Sequence, residues 1–219
     1  MPEKSKVFLV DDHPLVREWL TNLIHQEDNL IVCGEAEDSV SALRGIEKTK
    51  PDVVIVDLSL KGSSGIELIK AARLKMPSVA IIVLSMHDEN LYAERVIRAG
   101  ARGYVMKRET AQKIIAGIQR VLKGELYFSD SIANAFARKF VDGRSAVTLT
   151  PIETLSDREL EVFNLLGQGF ETRRIAESLN VSIKTVQAYC SRIREKLHIS
   201  NGLELLREAI RWHDQSAQG

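Results

Sequence analysis

The sequence predicts two domains of different class: an α/β domain on a doubly wound sheet of five parallel strands, then an all-α domain of four helices. Three observations predict this. Short β-branched runs alternate with amphipathic helical runs through the N-terminal part, at the spacing of βα units. The run Asp52-Val-Val-Ile-Val-Asp57 is apolar at every interior position, as a strand buried on both faces must be. From Leu155 onward the pattern is one of capped helical segments in succession. A chain of 219 residues has length enough for a core in each domain.

The elements follow in order. Val7-Phe8-Leu9-Val10 is the first strand and ends in Asp11-Asp12. His13-Pro14 opens a helix, with proline at the tolerated first position and Leu15, Trp19, Leu20, Leu23 and Ile24 as its apolar face. Leu30 to Cys33 is the second strand, and a helix runs from about Asp38 to Lys48. The third strand ends at Asp57, and Pro51 and Gly62 bound it; a helix from about Ser64 to Lys75 follows. Val79 to Leu84 is a fourth buried strand, ending at Ser85. Asp88 then caps a helix that stops at Gly100, where a left-handed residue is needed. Gly103 to Met106 is a short fifth strand ending at Lys107, and Thr110 caps a last helix that stops at Gly124.

Two buried parallel strands that end in three carboxylates exceed ordinary turn chemistry. In an open α/β sheet, ligands bind beyond the carboxyl ends of the strands, where the winding direction reverses. With the first strand beside the third at that reversal, Asp11, Asp12 and Asp57 converge. Three like charges need a cation to stay ionised together. Oxygen donors without Cys or His suit Mg²⁺, and the chemistry indicated is phosphoryl transfer with Asp57 as nucleophile. Ser85 and Lys107 add a hydroxyl and an ammonium at the same edge, able to hold an anion's oxygens.

Charge is balanced, with 30 basic and 30 acidic residues, so bulk electrostatics do not indicate a nucleic-acid partner. The balance persists from Ser156 onward, where arginines and lysines are matched one for one by acids. Cys33 and Cys190 are remote in sequence and read as core or surface thiols in a reducing compartment. Without a signal peptide or an apolar run long enough to span a bilayer, the chain reads as soluble and cytoplasmic, with no membrane partner.

Residues 6 to 124 resemble the receiver domain of two-component response regulators, a flavodoxin-like fold, through Asp11-Asp12, Asp57, Ser85, Tyr104 and Lys107. The resemblance implies that Asp57 accepts phosphate from a histidine kinase. It implies that Asp12, Asp57 and the Ser59 carbonyl ligate Mg²⁺, with Asp11 assisting through water. Ser85 would hydrogen-bond the phosphoryl group, Lys107 would pair with it, and Tyr104 would turn inward to report it. Lys61 departs from the pattern, standing where the family usually has proline. Ser59 and His87 overhang the path of a hydrolytic water. Ser59 is small enough to leave the approach open, and His87 either positions the water or lies on the surface.

Glu125 to Thr154 reads as a connector. Ser129 to Val141 has helical spacing at Ile132, Ala133, Phe136 and Phe140, compatible with a docking helix or with an extension of the first domain. Asp142 to Pro151 reads as a flexible link.

In the second domain Ser156 and Glu159 form a capping-box pair, and Leu160, Val162, Phe163, Leu165 and Leu166 give the helix its buried side. Gly167 and Gly169 stop it. Thr172 to Leu179 is a second helix, Asn180-Val181 a tight turn, and Ser182 caps a third helix through Leu197. Small Ala176, turn-tolerant Asn180, and Val181 with Val186 fit a helix-turn-helix. Leu203 to Trp212 closes the bundle.

Leu155 to Ile210 resembles the LuxR-type DNA-binding domain of the NarL/FixJ subfamily, through Arg158-Glu159-Leu160-Glu161-Val162, Ile175-Ala176, Thr185-Val186 and Lys196-Leu197. The resemblance implies that the helix from Ser182 to Leu197 lies in the major groove of double-stranded DNA, bound by a homodimer. Its expected contacts are Lys184, Thr185, Gln187, Tyr189, Arg192, Arg194 and Lys196. The cations on this helix face only Glu195 as a nearby acid, a local excess that favours phosphate contact. Gln187 and Tyr189 stand where the family commonly has Lys and His, and Gly202 where it usually has Arg. Gln187 in turn suits an adenine edge.

Together these features read as a phosphorylation-switched transcription regulator that is not an enzyme, apart from self-dephosphorylation. Two other readings stay open: a phosphorelay or interaction module without DNA binding, and an aspartyl-phosphate hydrolase. Against the hydrolase, the haloacid-dehalogenase pattern wants a second Asp two residues past the nucleophile, where Ser59 stands.

Overall fold

The structure, a computed structural model, describes residues 4–60, 63–141 and 151–217. The chain packs as two units, Met1–Lys139 and Phe140–Gly219. Up to Val141 the chain order is β1 (Ser5–Val10), α1 (Pro14–His25), β2 (Leu30–Ala36), α2 (Ser39–Thr49), β3 (Val53–Val56), β4 (Ser59–Leu60) and β5 (Ser63–Ser64). It continues with α3 (Gly65–Lys75), β6 (Ala80–Ser85), α4 (Glu89–Ala99), β7 (Gly103–Met106), α5 (Ala111–Leu122) and α6 (Asp130–Val141).

The five-stranded sheet has the order β2-β1-β3-β6-β7 with every pairing parallel. The chain therefore winds outward from β1 to one edge, then crosses to β3 and winds to the other. The reversal predicted from sequence lies between β1 and β3. All four residues of β3 are buried, as are all six of β6. This explains the unbroken apolar runs Val53–Val56 and Ala80–Leu84, each large side chain contributing about 1.5–3 kcal/mol on burial. Asp38 accepts from the Val40 and Ser41 amides to start α2. Asp88 accepts from Asn90 to start α4, which ends at Gly100 with φ +108°.

Several expectations are corrected. The buried stripe of α1 is Leu20 and Ile24 with Val16 and Leu23, whereas Leu15 and Trp19 are 79% and 43% exposed. Apolarity alone could not separate positions one residue off the inward stripe. Strand β2 continues three residues past Cys33 because it pairs with β1 along that length. A short antiparallel pairing of β4 with β5 was not anticipated. Thr110 stands at the cap position of α5 without a side-chain cap bond. Lys61 and the link over 142–150 lie outside the described residues.

The second unit holds a 3₁₀ turn (Pro151–Thr154), α7 (Asp157–Gly167), α8 (Thr172–Ser178), α9 (Ile183–Lys196) and α10 (Gly202–Ala217). The capping box of Ser156 and Glu159 is formed. Asn180 takes the left-handed turn at φ +50°, and the Val181 amide donates to the Ala176 carbonyl at 3.0 Å. Leu160, Phe163, Ile175, Ala176, Val186, Ile193 and Leu205 are buried, which fixes α9 across α7 and α8. Helix α10 starts one residue earlier and runs five residues longer than expected. Cys33 and Cys190 are free thiols, each half-buried, and burial pushes the Cys190 thiol up. No helix among the described residues is long and apolar enough to cross a membrane.

Candidate functional site

Sheet register builds the site. Val10 lies opposite Val56, so Asp11 and Asp57 leave adjacent strands side by side, and the Asp57 amide donates to the Val10 carbonyl at 2.8 Å. Ser85 lies opposite Met106, and the Lys107 amide donates to the Ser85 carbonyl at 2.8 Å. A side-chain carbon at Gly65 would collide with the Asp57 carbonyl oxygen, so glycine lets α3 start against the site.

Lys107 Nζ lies 2.6 Å from Asp11 Oδ2 and 2.7 Å from Asp57 Oδ2. Both acids are almost fully buried. Burial pushes the Asp57 carboxyl up, Lys107 opposes that shift, Asp11 adds to it, and the net direction is upward. Burial alone would lower Lys107, but Asp57 and Asp11 outweigh it and hold the ammonium charged. One cation between two buried acids, with Asp12 alongside, leaves the site short of positive charge.

Asp11, Asp12, His13 and Asp57 each offer a donor atom within 4.8 Å of the others. Asp12 Oδ1 is buried without a hydrogen bond; His13 Nδ1 stands 2.7 Å from it, outside hydrogen-bond alignment. A buried carboxylate oxygen without an aligned hydrogen-bond donor, in an acid-rich cluster, fits a divalent cation. The sequence pattern points to oxygen donors alone. The structure brings His13 to the same cluster, where its amide donates to Asp11 Oδ1 at 2.9 Å. Arg17 was also missed. Its guanidinium donates to the Asp11 carbonyl at 2.7 Å and faces Glu35 of β2. Its signal was a cation one helical turn past His13, which would point back at the acids.

The residues around Ser85 form a bonded cluster. Tyr104 is buried, and its hydroxyl donates to the His87 carbonyl at 2.8 Å. Burial keeps that hydroxyl protonated well above its ordinary range, so it remains a donor. Ser59 Oγ lies 2.8 Å from His87 Nε2. The His87 amide also donates to Ser85 Oγ at 3.3 Å, and its ring packs 4.8 Å from that of Tyr92.

On α9 the expected contact residues separate. Lys184, Gln187 and Arg192 are exposed, opposite buried Val186 and Ile193. Tyr189 is half-buried, with the Arg192 guanidinium 5.3 Å from its ring centre. Thr185 Oγ1 lies 2.8 Å from Ser182 Oγ at the helix start. Arg194 and Gln187 line a cleft of about 330 Å³ against Gly202, Leu205 and Leu206 of α10. Lys196 is turned to its own domain: Nζ lies 2.6 Å from buried Glu159 Oε2 and 3.1 Å from the Thr154 carbonyl. It ties the end of α9 to the capping box of α7, a role its surface-helix position did not reveal.

A family model described as the response regulator receiver domain matches residues 7–119. A second, described as bacterial regulatory proteins of the luxR family, matches residues 153–209. The chain is 33% identical over 210 residues to the oxygen regulatory protein NreC of Staphylococcus carnosus, covering 94% of this chain and 97% of NreC. It is similar to RcsB of Salmonella enterica serovar Typhimurium bound to promoter rprA with the phosphomimetic BeF3⁻. That likeness has a TM-score of 0.61 and 29% identity, over 94% of this chain and 98% of RcsB. A LuxR-family two-component response regulator from Aurantimonas sp. gives a TM-score of 0.59 and 34% identity, over 64% of this chain and 99% of that one.

Proposed function

Because the chain belongs to the response regulators that carry a LuxR-type DNA-binding domain, we propose that phosphorylation of Asp57 by a histidine kinase switches its binding to promoter DNA. The observation that carries this reading is the buried Asp57 carboxylate, 2.7 Å from Lys107 and beside the Asp11, Asp12 and His13 donors. In the transfer, an Asp57 carboxylate oxygen attacks phosphorus in line, the bond from phosphorus to the donor histidine nitrogen breaks, and the electron pair leaves on that nitrogen. Lys107 pairs with a phosphoryl oxygen, and the Ser85 hydroxyl donates to another. Asp11, Asp12 and Asp57, with the Ser59 carbonyl, are the residues that would hold Mg²⁺, which when bound neutralises charge on the transferring oxygens.

The output reading rests on α9. Lys184 and Arg192 supply salt-dependent phosphate contacts, with Arg194 at their flank. Gln187, exposed near the helix N-terminus, is the candidate base reader, flanked by Thr185 and Tyr189. A pair of subunits presents two such helices. Loss of the phosphoryl group by water attack returns the protein to its resting state, and the Ser59–His87 bridge sets the rate by covering that approach.

The test of the acceptor is direct. With a small phosphodonor and Mg²⁺, the intact protein gains the mass of one phosphoryl group and Asp57→Ala gains none. Equal uptake by Asp57→Ala would remove Asp57 from its role.

A further inference from the structure

Beyond β7 and α5 the chain turns back on the first unit. The Tyr127 amide donates to the Arg102 carbonyl at 2.9 Å, and the Tyr104 amide donates to the Tyr127 carbonyl at 2.8 Å, so this segment pairs with the edge of β7. The seat for it is built into the sequence. A side-chain carbon at Gly117 would stand 3.0 Å from the Tyr127 ring, and one at Gly103 would stand 3.1 Å from the Tyr127 carbonyl oxygen.

Two residues on, Ser129 begins α6: its carbonyl accepts from Ala133 and its hydroxyl from Ile132. Its own amide donates at 3.0 Å to Glu89 Oε1. Glu89 is 8% exposed, a carboxylate too buried to be indifferent to its donors. It is also the first residue of α4, where the helix dipole favours a negative charge. It lies two residues past His87, and His87 is held by Ser59, Ser85 and Tyr104, all expected members of the phosphorylation site. A cavity of about 380 Å³ lined by Glu89, Tyr104, Tyr127 and Ser129 gives this junction room to rearrange.

We propose that Glu89 is a latch: it fastens the start of α6 to the phosphorylation site, and a phosphoryl group on Asp57 opens it by displacing the His87–Glu89 segment. A group added to Asp57 draws Ser85 and crowds the Ser59–His87 bridge, changing two of the bonds that place His87. The movement reaches Glu89 within two residues and, through its bond to the Ser129 amide, frees the cap of α6. This rests on the reading of Asp57 as phosphoacceptor.

The test follows amide exchange of Ser129 and its neighbours by NMR in the full chain, with and without fluoroberyllate and Mg²⁺. In wild type, fluoroberyllate speeds exchange at Ser129 roughly ten- to a hundredfold, as loss of a hydrogen bond to a charged group implies. Glu89→Ala shows that fast exchange without fluoroberyllate and no further gain with it. Glu89→Gln, which keeps an acceptor oxygen, retains slow resting exchange and guards against simple misfolding. Coupling is reciprocal, so Glu89→Ala binds fluoroberyllate more tightly than wild type by the factor through which the latch opposed it. Unchanged Ser129 exchange in a wild-type protein that has taken up one fluoroberyllate overturns the latch and leaves the acceptor standing. No fluoroberyllate uptake at all overturns the acceptor reading instead.

Discussion

The strand-end site and the recognition helix both carry polar residues at positions set by regular structure, yet the fold disposes of them differently. At the sheet edge, residues scattered from Asp11 to Lys107 converge because parallel register leaves each strand end no other place. Val10 opposite Val56 and Ser85 opposite Met106 bring the acids, hydroxyl and ammonium together. On α9, position along a helix settles only the direction of each side chain. Lys184 and Lys196 look alike in the sequence, yet one faces solvent and the other closes on Glu159. Buried backbone pairing fixes where chemistry sits, whereas surface charge can be recruited by the fold.

The contrast is sharpest at Lys107, the charge both buried acids share. Lys107→Ala should weaken fluoroberyllate binding roughly ten- to a hundredfold, the scale of a charge-assisted hydrogen bond. Binding within twofold of wild type would mean the sheet edge gathers these groups without using them.

A smaller effect separates the two lysines of α9. Lys196→Ala should cost the second unit about 1–3 kcal/mol, discounted because the lysine side chain is 37% exposed, since buried Glu159 loses its partner. Lys184→Ala should leave stability within about 0.5 kcal/mol but lower the slope of log affinity against log salt by roughly one. Thermal melts and salt titrations read both, and exchanged outcomes would break the distinction. Acid should erase part of the Lys196 effect. Burial alone would raise Glu159, but its bonds with Lys196 and Ser156 outweigh this and hold it below the ordinary glutamate value of 4.5. The pair is therefore fully stabilising above that value and fades as pH falls through the lower folded one, so the difference from Lys196→Ala narrows below about pH 4.5.

The smallest effect concerns signal lifetime. If the Ser59–His87 bond screens the approach to Asp57, His87→Ala and Ser59→Ala should each speed decay of the phosphorylated protein by about fivefold, the worth of one neutral hydrogen bond. Slower decay in His87→Ala would mean that the imidazole positions the water instead.

The α/β sheet was legible because both-face burial writes unbroken apolar runs, and Asp57, Ser85 and Lys107 were legible as polar residues ending such runs. His13 and Arg17 were not, because each has an ordinary helix-start explanation, and only the folded turn shows them bonded to Asp11. Trp19 misled for the opposite reason: an aromatic in a helical pattern reads as core, and this one is 43% exposed. The bond that holds Tyr104 was likewise unreadable, since it uses a backbone carbonyl at His87 that no side-chain pattern announces.

The central claim is that a phosphoryl group on Asp57 controls the DNA affinity of α9. It is tested by measuring affinity for one promoter fragment at fixed salt, with and without fluoroberyllate and Mg²⁺, in wild type and Asp57→Ala. Wild-type affinity should rise by roughly tenfold or more, the usual scale of coupling between two sites, while Asp57→Ala stays at the resting value under both conditions. A wild-type protein that has taken up fluoroberyllate and binds the fragment no differently would contradict the account.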